Sequence, residues 1–352
     1  MGFYQAMQLS AANLKPLIKN AESKETKNKY IAALILKSIL CLLFCTIVVI
    51  SFGKVFGEEN NVVGVVTVIS LLNFRFSNLD FKVRQAALTI VGIFGVLSIS
   101  PYIASISNPF LGFIINFISI IGILILTCHN VRLCNHSILV LSYFLLYGYK
   151  VENTEILINR IIGLIFGGIL VASIFYIKQR KIEFKNTFID IINDVDFNTE
   201  RTKWQLKFAF VTTSAIMIGE FLHIPRVMWI GIACMSVFHH DKSQLQIRYK
   251  QRMLYMVLGC LMYMSIYFLI PQQFRGLIGL IGGVMIGFSG TYKWQTVFNA
   301  FGALSAATPI LGFGGAIIFR ILNNVFGALY SKGFDYIINF IDNKEFANVN
   351  EA

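Results

Sequence analysis

The chain has 352 residues, of which 56% are hydrophobic and 14% charged, and its mean hydropathy is +0.68. A soluble globular domain carries about 45–50% apolar and about 25% charged residues, so that class is excluded. The formal net charge of +12 does not point to nucleic acid, because the basic residues cluster in short loops between apolar runs.

Residues 1–29 are polar and lysine-rich, which predicts a cytoplasmic or interfacial segment with no apolar stretch and cleavage site of a signal peptide. Six apolar runs follow, at 31–52, 62–74, 85–103, 110–128, 137–149 and 155–177. Residues 178–203 open on the basic run KQRK. In them Ile182, Phe188, Ile189, Ile192 and Val195 recur at helical spacing, which predicts an amphipathic linker helix on the cytoplasmic membrane surface. Six more runs lie at 204–221, 227–238, 253–270, 275–289, 294–310 and 313–331, before a cytoplasmic tail at 339–352. Crossing about 30 Å of hydrocarbon takes about 17–25 apolar residues in a helix. The expected fold is therefore an all-α membrane protein with about twelve transmembrane helices and no alternating barrel pattern.

The two sets of six resemble each other. Residues 158–167 read INRIIGLIFG and residues 318–327 read IFRILNNVFG, which aligns Ile158 with Ile318, Arg160 with Arg320, Ile161 with Ile321, Phe166 with Phe326 and Gly167 with Gly327. Lys37 and Lys207 each lie a few residues into the first run of a set, and Gly64 and Gly231 sit alike in the second runs. With six segments per set both halves have the same orientation, so the expectation is two parallel six-helix repeats, residues 30–177 and 204–338.

The basic residues set that orientation. An inside N-terminus puts the clusters at 15–29, 75–84, 178–185, 201–203 and 242–252, with Arg132, Lys293, Lys332 and Lys344, on the cytoplasmic side. Only Lys54, Lys150, Arg226 and Arg275 then fall outside. Positive residues favour the cytoplasmic side, which predicts that both termini are inside, in a plasma membrane. The richness in Ile, Asn, Lys and Phe suggests a bacterial source.

Lys37, Arg160, Lys207 and Arg320 remain inside apolar runs. Long basic side chains snorkel to a nearby interface. The functional alternative is a positive lining for a small organic anion, with the lysines on the cytoplasmic side of the path and the arginines toward its exit. Ionisable groups at membrane depth are functional candidates, and the arginine fork suits a carboxylate. Arg84 and Arg252 are placed in cytoplasmic basic loops. Glu220, in the apolar context IMIGEFLHIP, is the candidate for proton coupling. Gly163 and Gly167 form a GxxxG close-approach motif, and the region of Pro309 and Gly312 to Gly315 is a candidate helix break.

The six cysteines form no CxxC pair and the five histidines have no zinc spacing, so no metal or cofactor is expected. The sequence contains no GxSxG, HExxH, Walker A or paired-carboxylate motif, and no enzyme activity is expected.

Three features carry a family resemblance: PRVMWIGIACMSVF through Trp229, RYKQRMLYMVLG with Arg252 and Gly259, and the pair Arg160-x-x-Gly163-x-x-x-Gly167 and Arg320-x-x-Asn323-x-x-x-Gly327. On these the chain, over about residues 30–338, resembles the fusaric acid resistance (FUSC), or aromatic acid exporter, family of integral membrane transporters. The resemblance implies export of aromatic carboxylic acids or related small organic anions, driven by the proton gradient. The six-helix unit also looks like that of plant malate channels, which keeps a passive organic-anion channel open. A non-transporting scaffold of the cell envelope is the reading from a different class. The expected partners are the organic anion and the lipid bilayer, with no nucleic acid, and self-association stays open.

Overall fold

A computed structural model describes residues 1–130 and 133–351. Arg132, counted above among the cytoplasmic basic residues, lies outside the described residues. These hold fourteen α-helices and no β-strand. The first three helices are α1 (Phe3–Gln8), α2 (Ala11–Lys19) and α3 (Lys24–Phe56). Then come α4 (Asn61–Phe74), α5 (Val83–Ile106), α6 (Pro109–Thr127), α7 (Ser137–Gly148) and α8 (Thr154–Gln179). After the linker helix α9 (Phe188–Asn193) follow α10 (Glu200–Phe221), α11 (Met228–Val237), α12 (Lys242–Leu269), α13 (Leu277–Phe288) and α14 (Tyr292–Glu351).

Each of the twelve apolar runs is helical. Six helices are long and apolar enough to cross a membrane: α3, α5, α6, α8, the stretch Ser243–Leu269 of α12 and the stretch Tyr292–Phe340 of α14. Four others, α4, α7, α11 and α13, have 14, 12, 10 and 12 residues. At 1.5 Å per residue they reach only about 15–21 Å, which is short of the hydrocarbon thickness. α14 contains two of the predicted runs. Gly312 separates them with φ +71° and ψ 165°, a conformation that costs glycine little and interrupts the helical hydrogen bonding. The predicted helix break is therefore at Gly312, with Pro309 still inside the helix.

The chain divides into two compact units, residues 1–46 with 243–328 and residues 47–242 with 329–352. The division cuts through α3 and α14, so it does not follow the repeat boundaries.

In the first unit α1 and α2 fold back onto the start of α3. Ala6, Ala11 and Leu14 pack on Tyr30, Ala33 and Leu34, with Phe288 at the end of α13 closing the cluster. Ser10 caps α2 by accepting a hydrogen bond from the Asn13 amide at 3.2 Å. The close fit needs glycine at 290, where an added Cβ would stand 3.3 Å from Ala12 Cα.

In the second unit α8 packs along α4 and α5, while α10 packs on α6 and α11. Small residues allow this approach. A Cβ on Gly167 would lie 2.3 Å from Thr67 Oγ1, and one on Gly168 would lie 2.6 Å from Phe94 Cβ. The predicted GxxxG motif thus faces α4, and the opposite face of α8 exposes Ile158, Ile162, Ile165 and Ile169. Such a face is unfavourable in water and suits lipid. Several buried hydroxyls bond one turn back, as Thr127 does to Ile123 O at 2.7 Å and Thr212 to Phe208 O at 2.9 Å, which satisfies them within their own helices.

The linker docks on the α4–α5 loop of the same unit. Phe188 N donates to Gln85 Oε1 at 2.8 Å, Lys82 N donates to Asn186 O at 2.9 Å, and the Phe81 and Phe188 rings meet at 6.3 Å. α9 starts on a capping box: the Thr187 amide and hydroxyl donate to Asp190 Oδ2 at 2.7 and 2.8 Å. These two bonds, the backbone one first, hold the Asp190 carboxyl below its ordinary value. Its stabilisation is therefore fully present above the ordinary carboxylate range and is lost as pH falls through the depressed value. Asp190→Ala should loosen α9 at neutral pH, measured as faster amide exchange over residues 188–193. The difference from wild type should shrink in acid below about pH 3.9. A difference that persists undiminished at pH values well below the depressed one would exclude the carboxylate as its source.

Candidate functional site

Arg160 is 3% exposed on α8, and all three of its guanidinium nitrogens are engaged by protein oxygens. Nε donates to Asn60 Oδ1 at 3.0 Å, Nη1 to Tyr149 O at the end of α7, and Nη2 to Glu59 O at 3.5 Å. Asn60 in turn donates to Phe56 O at 2.8 Å and Ile156 O at 3.1 Å. Arginine and asparagine together serve carbonyls at the ends of α3 and α7 and in the turn before α4. Gly57, at φ +95°, starts that turn. The groups they satisfy are those a helix end leaves orphaned. Arg160 thus takes part in holding these helix ends together.

Lys37 also bonds a helix end. Its ammonium donates to Leu9 O, the carbonyl that ends α1, and so ties the N-terminal helices to α3. Lys207 is half-buried on α10 and Arg84 is exposed at the second position of α5.

Arg252 departs from its predicted place. It is not in a loop but ten residues inside α12, and is 4% exposed. The cause is that α12 begins at Lys242, well before its apolar run, so a residue beyond the hydropathy boundary is still carried into the bundle. Arg252 donates through Nε and Nη2 to the same oxygen, Asn324 Oδ1, at 3.0 and 2.6 Å. Asn324 Nδ2 donates to Arg320 O at 2.7 Å, which fixes the amide with its oxygen toward Arg252. Arg320 is also 4% exposed, and lies close enough to Arg252 and to the Cys260 thiol for their charges to interact. The sequence between Ser243 and Ala328 contains no Asp or Glu.

Glu220 is partly buried near the end of α10 and accepts a hydrogen bond from Tyr147 Oη at 2.9 Å. Tyr143, fully buried one turn earlier on α7, donates to Asn116 Oδ1 at 2.8 Å. Sequence reasoning singled out neither tyrosine, nor Asn60, Asn116 or Asn324. The available signal was an amide inside an apolar run, as in FIINFIS and ILNNVF.

These features define an α-helical, multi-pass membrane protein with buried cations in its helices. Residues 214–331, about one third of the chain, match the family described as fusaric acid resistance protein-like. The match takes in Glu220, Arg252, Arg320 and Asn324, and agrees with the resemblance read from the sequence. Comparison with curated proteins and with solved structures yields no match.

Proposed function

We propose that this chain exports small organic anions, aromatic carboxylates foremost, across a bacterial plasma membrane in exchange for protons. The observation that carries the reading is the burial of Arg252 and Arg320 in a stretch without a single carboxylate, inside the matched region. Taking a guanidinium out of water costs several kcal/mol. A protein that must lower the barrier for a passing anion gains from that positive potential.

The architecture proposed is twelve segments in two parallel repeats, with both termini cytoplasmic. Support comes from equivalent glycines: a Cβ on Gly64 would meet Val49 of the preceding helix at 2.8 Å, and one on Gly231 would meet Ile216 of its preceding helix at 2.6 Å. Glu220, which accepts the Tyr147 hydroxyl, is the proton-coupling group of this scheme.

The test is benzoate efflux from proteoliposomes, with protein-free vesicles as the control for passive leakage. Efflux above the control, accelerated by an acidic exterior and slowed by a protonophore, is expected. Protein-dependent efflux that follows membrane potential but ignores the pH gradient would replace the exporter by a passive channel. No efflux above the control, from protein shown to be folded, would leave the scaffold reading.

A further inference from the structure

We infer that Arg252, Arg320 and Asn324 form a binding site for one small monocarboxylate, whose oxygens take the place that Asn324 Oδ1 occupies at Arg252. The inference rests on the anion-transport reading for its purpose, but not for its geometry.

Two donors of Arg252 converge on a single neutral oxygen. A guanidinium has five N–H donors in a planar fork that matches the two oxygens of a carboxylate. The other three donors of Arg252 make no hydrogen bond among the described residues. Asn324 is thus a neutral occupant of a position built for a charged one. It is held there by a bond to Arg320 O, on the helix turn that also carries the second arginine.

The surroundings strengthen the case. Met256, Cys260 and Tyr263 follow Arg252 along one face of α12 and are each 1% exposed. Charges in such a dry, apolar setting interact far more strongly than in water. A monoanion offsets the charge of Arg252 there, and the nearby charge of Arg320 adds to the attraction. Apolar walls favour a carboxylate on a hydrocarbon body over a fully hydrated inorganic phosphate. The first repeat has no such site, because the donors of Arg160 are taken by Asn60, Glu59 and Tyr149.

Asn324→Asp provides a test in a variant that the proposal itself expects to fold. It places a carboxylate where the ligand's would sit, so thermal stability of the purified full-length protein should rise and saturable benzoate binding, read by calorimetry, should fall at least tenfold. Arg252→Gln and Arg320→Gln should each weaken benzoate binding at least tenfold, and the wild type should prefer benzoate to inorganic phosphate. Comparing nanodiscs of phosphatidylcholine with nanodiscs containing phosphatidylglycerol separates a soluble carboxylate from a lipid headgroup, since the latter would compete with benzoate. An Asn324→Asp protein that is destabilised, or binds benzoate as the wild type does, would overturn the site, as would preferential binding of phosphate or of the anionic lipid. If the wild type moves benzoate through vesicles and Asn324→Asp does so equally fast, the site fails and the transport reading survives. If benzoate binds and the variants lose it, yet no efflux occurs, the site survives and the transport reading fails.

Discussion

Arg160→Leu should destabilise the protein by about 3 kcal/mol or more, a larger effect than any loss of a single exposed charge. The change removes the donors that reach Asn60 Oδ1, Tyr149 O and Glu59 O. A buried acceptor left unsatisfied, as Asn60 Oδ1 would be, costs roughly 1–3 kcal/mol, the part-buried Tyr149 O and Glu59 O add to this, and leucine offers none a replacement. The damage should spread, because Asn60 also holds Phe56 O and Ile156 O and relies on Arg160 for its own orientation. Loosened contacts at the ends of α3, α7 and α8 should appear as a lower unfolding temperature in detergent and faster amide exchange around residues 56–61. Arg160→Lys keeps the charge but not the fork, and should recover only part of the stability. The competing expectation is a filter: an arginine that lines an anion path can be replaced with little loss of fold and a large loss of efflux. Arg160→Leu protein as stable as the wild type but inactive would therefore restore Arg160 to the path.

The case shows why the fold was more legible than the site. Hydropathy contrast marks where the chain meets lipid, and every apolar run became a helix with ends near the expected positions in α4, α6 and α8. It marks the bilayer rather than the helix, however. α3 starts at Lys24 and α12 at Lys242, each well before its apolar run, because polar residues continue a helix outside the hydrocarbon at little cost. That difference moved Arg252 from a loop into the bundle. The sequence also shows that Arg160 and Arg320 are expensive, since any cation in an apolar run is, but not what relieves the expense. The relief for Arg160 comes from backbone carbonyls, one of them a hundred residues away, and backbone carbonyls leave no trace in a sequence. For Arg252 it comes from Asn324, seventy-two residues on. The two aligned arginines have different neighbours: Arg160 meets Asn60 and helix-end carbonyls, while Arg320 sits on the turn whose carbonyl holds Asn324.

Gly64 and Gly231, which sit alike in the sequence, should also diverge when they are substituted. Gly64→Leu should cost about 3 kcal/mol, near the upper end of overpacking penalties, whereas Gly231→Ala should be close to neutral. The difference lies in what the new atoms meet. At Gly64 an added Cβ would stand 2.8 Å from Val49 Cα and 3.0 Å from Phe52 Cβ. Carbon atoms prefer about 3.5–4.0 Å, so α3 and α4 would have to separate, since a backbone atom cannot rotate aside. The remaining atoms of leucine would add further overlap. At Gly231 the nearest atom is Ile216 Cδ1 at 2.6 Å, the free end of a flexible side chain that can change rotamer. The cost of that adjustment is offset by about 1 kcal/mol, the advantage of alanine over glycine inside a helix. Unfolding temperatures of the two single variants and of the double variant give the comparison directly. Equal losses at both positions would mean that Ile216 is held as rigidly as the Val49 backbone, and that the two helix pairs are packed alike after all.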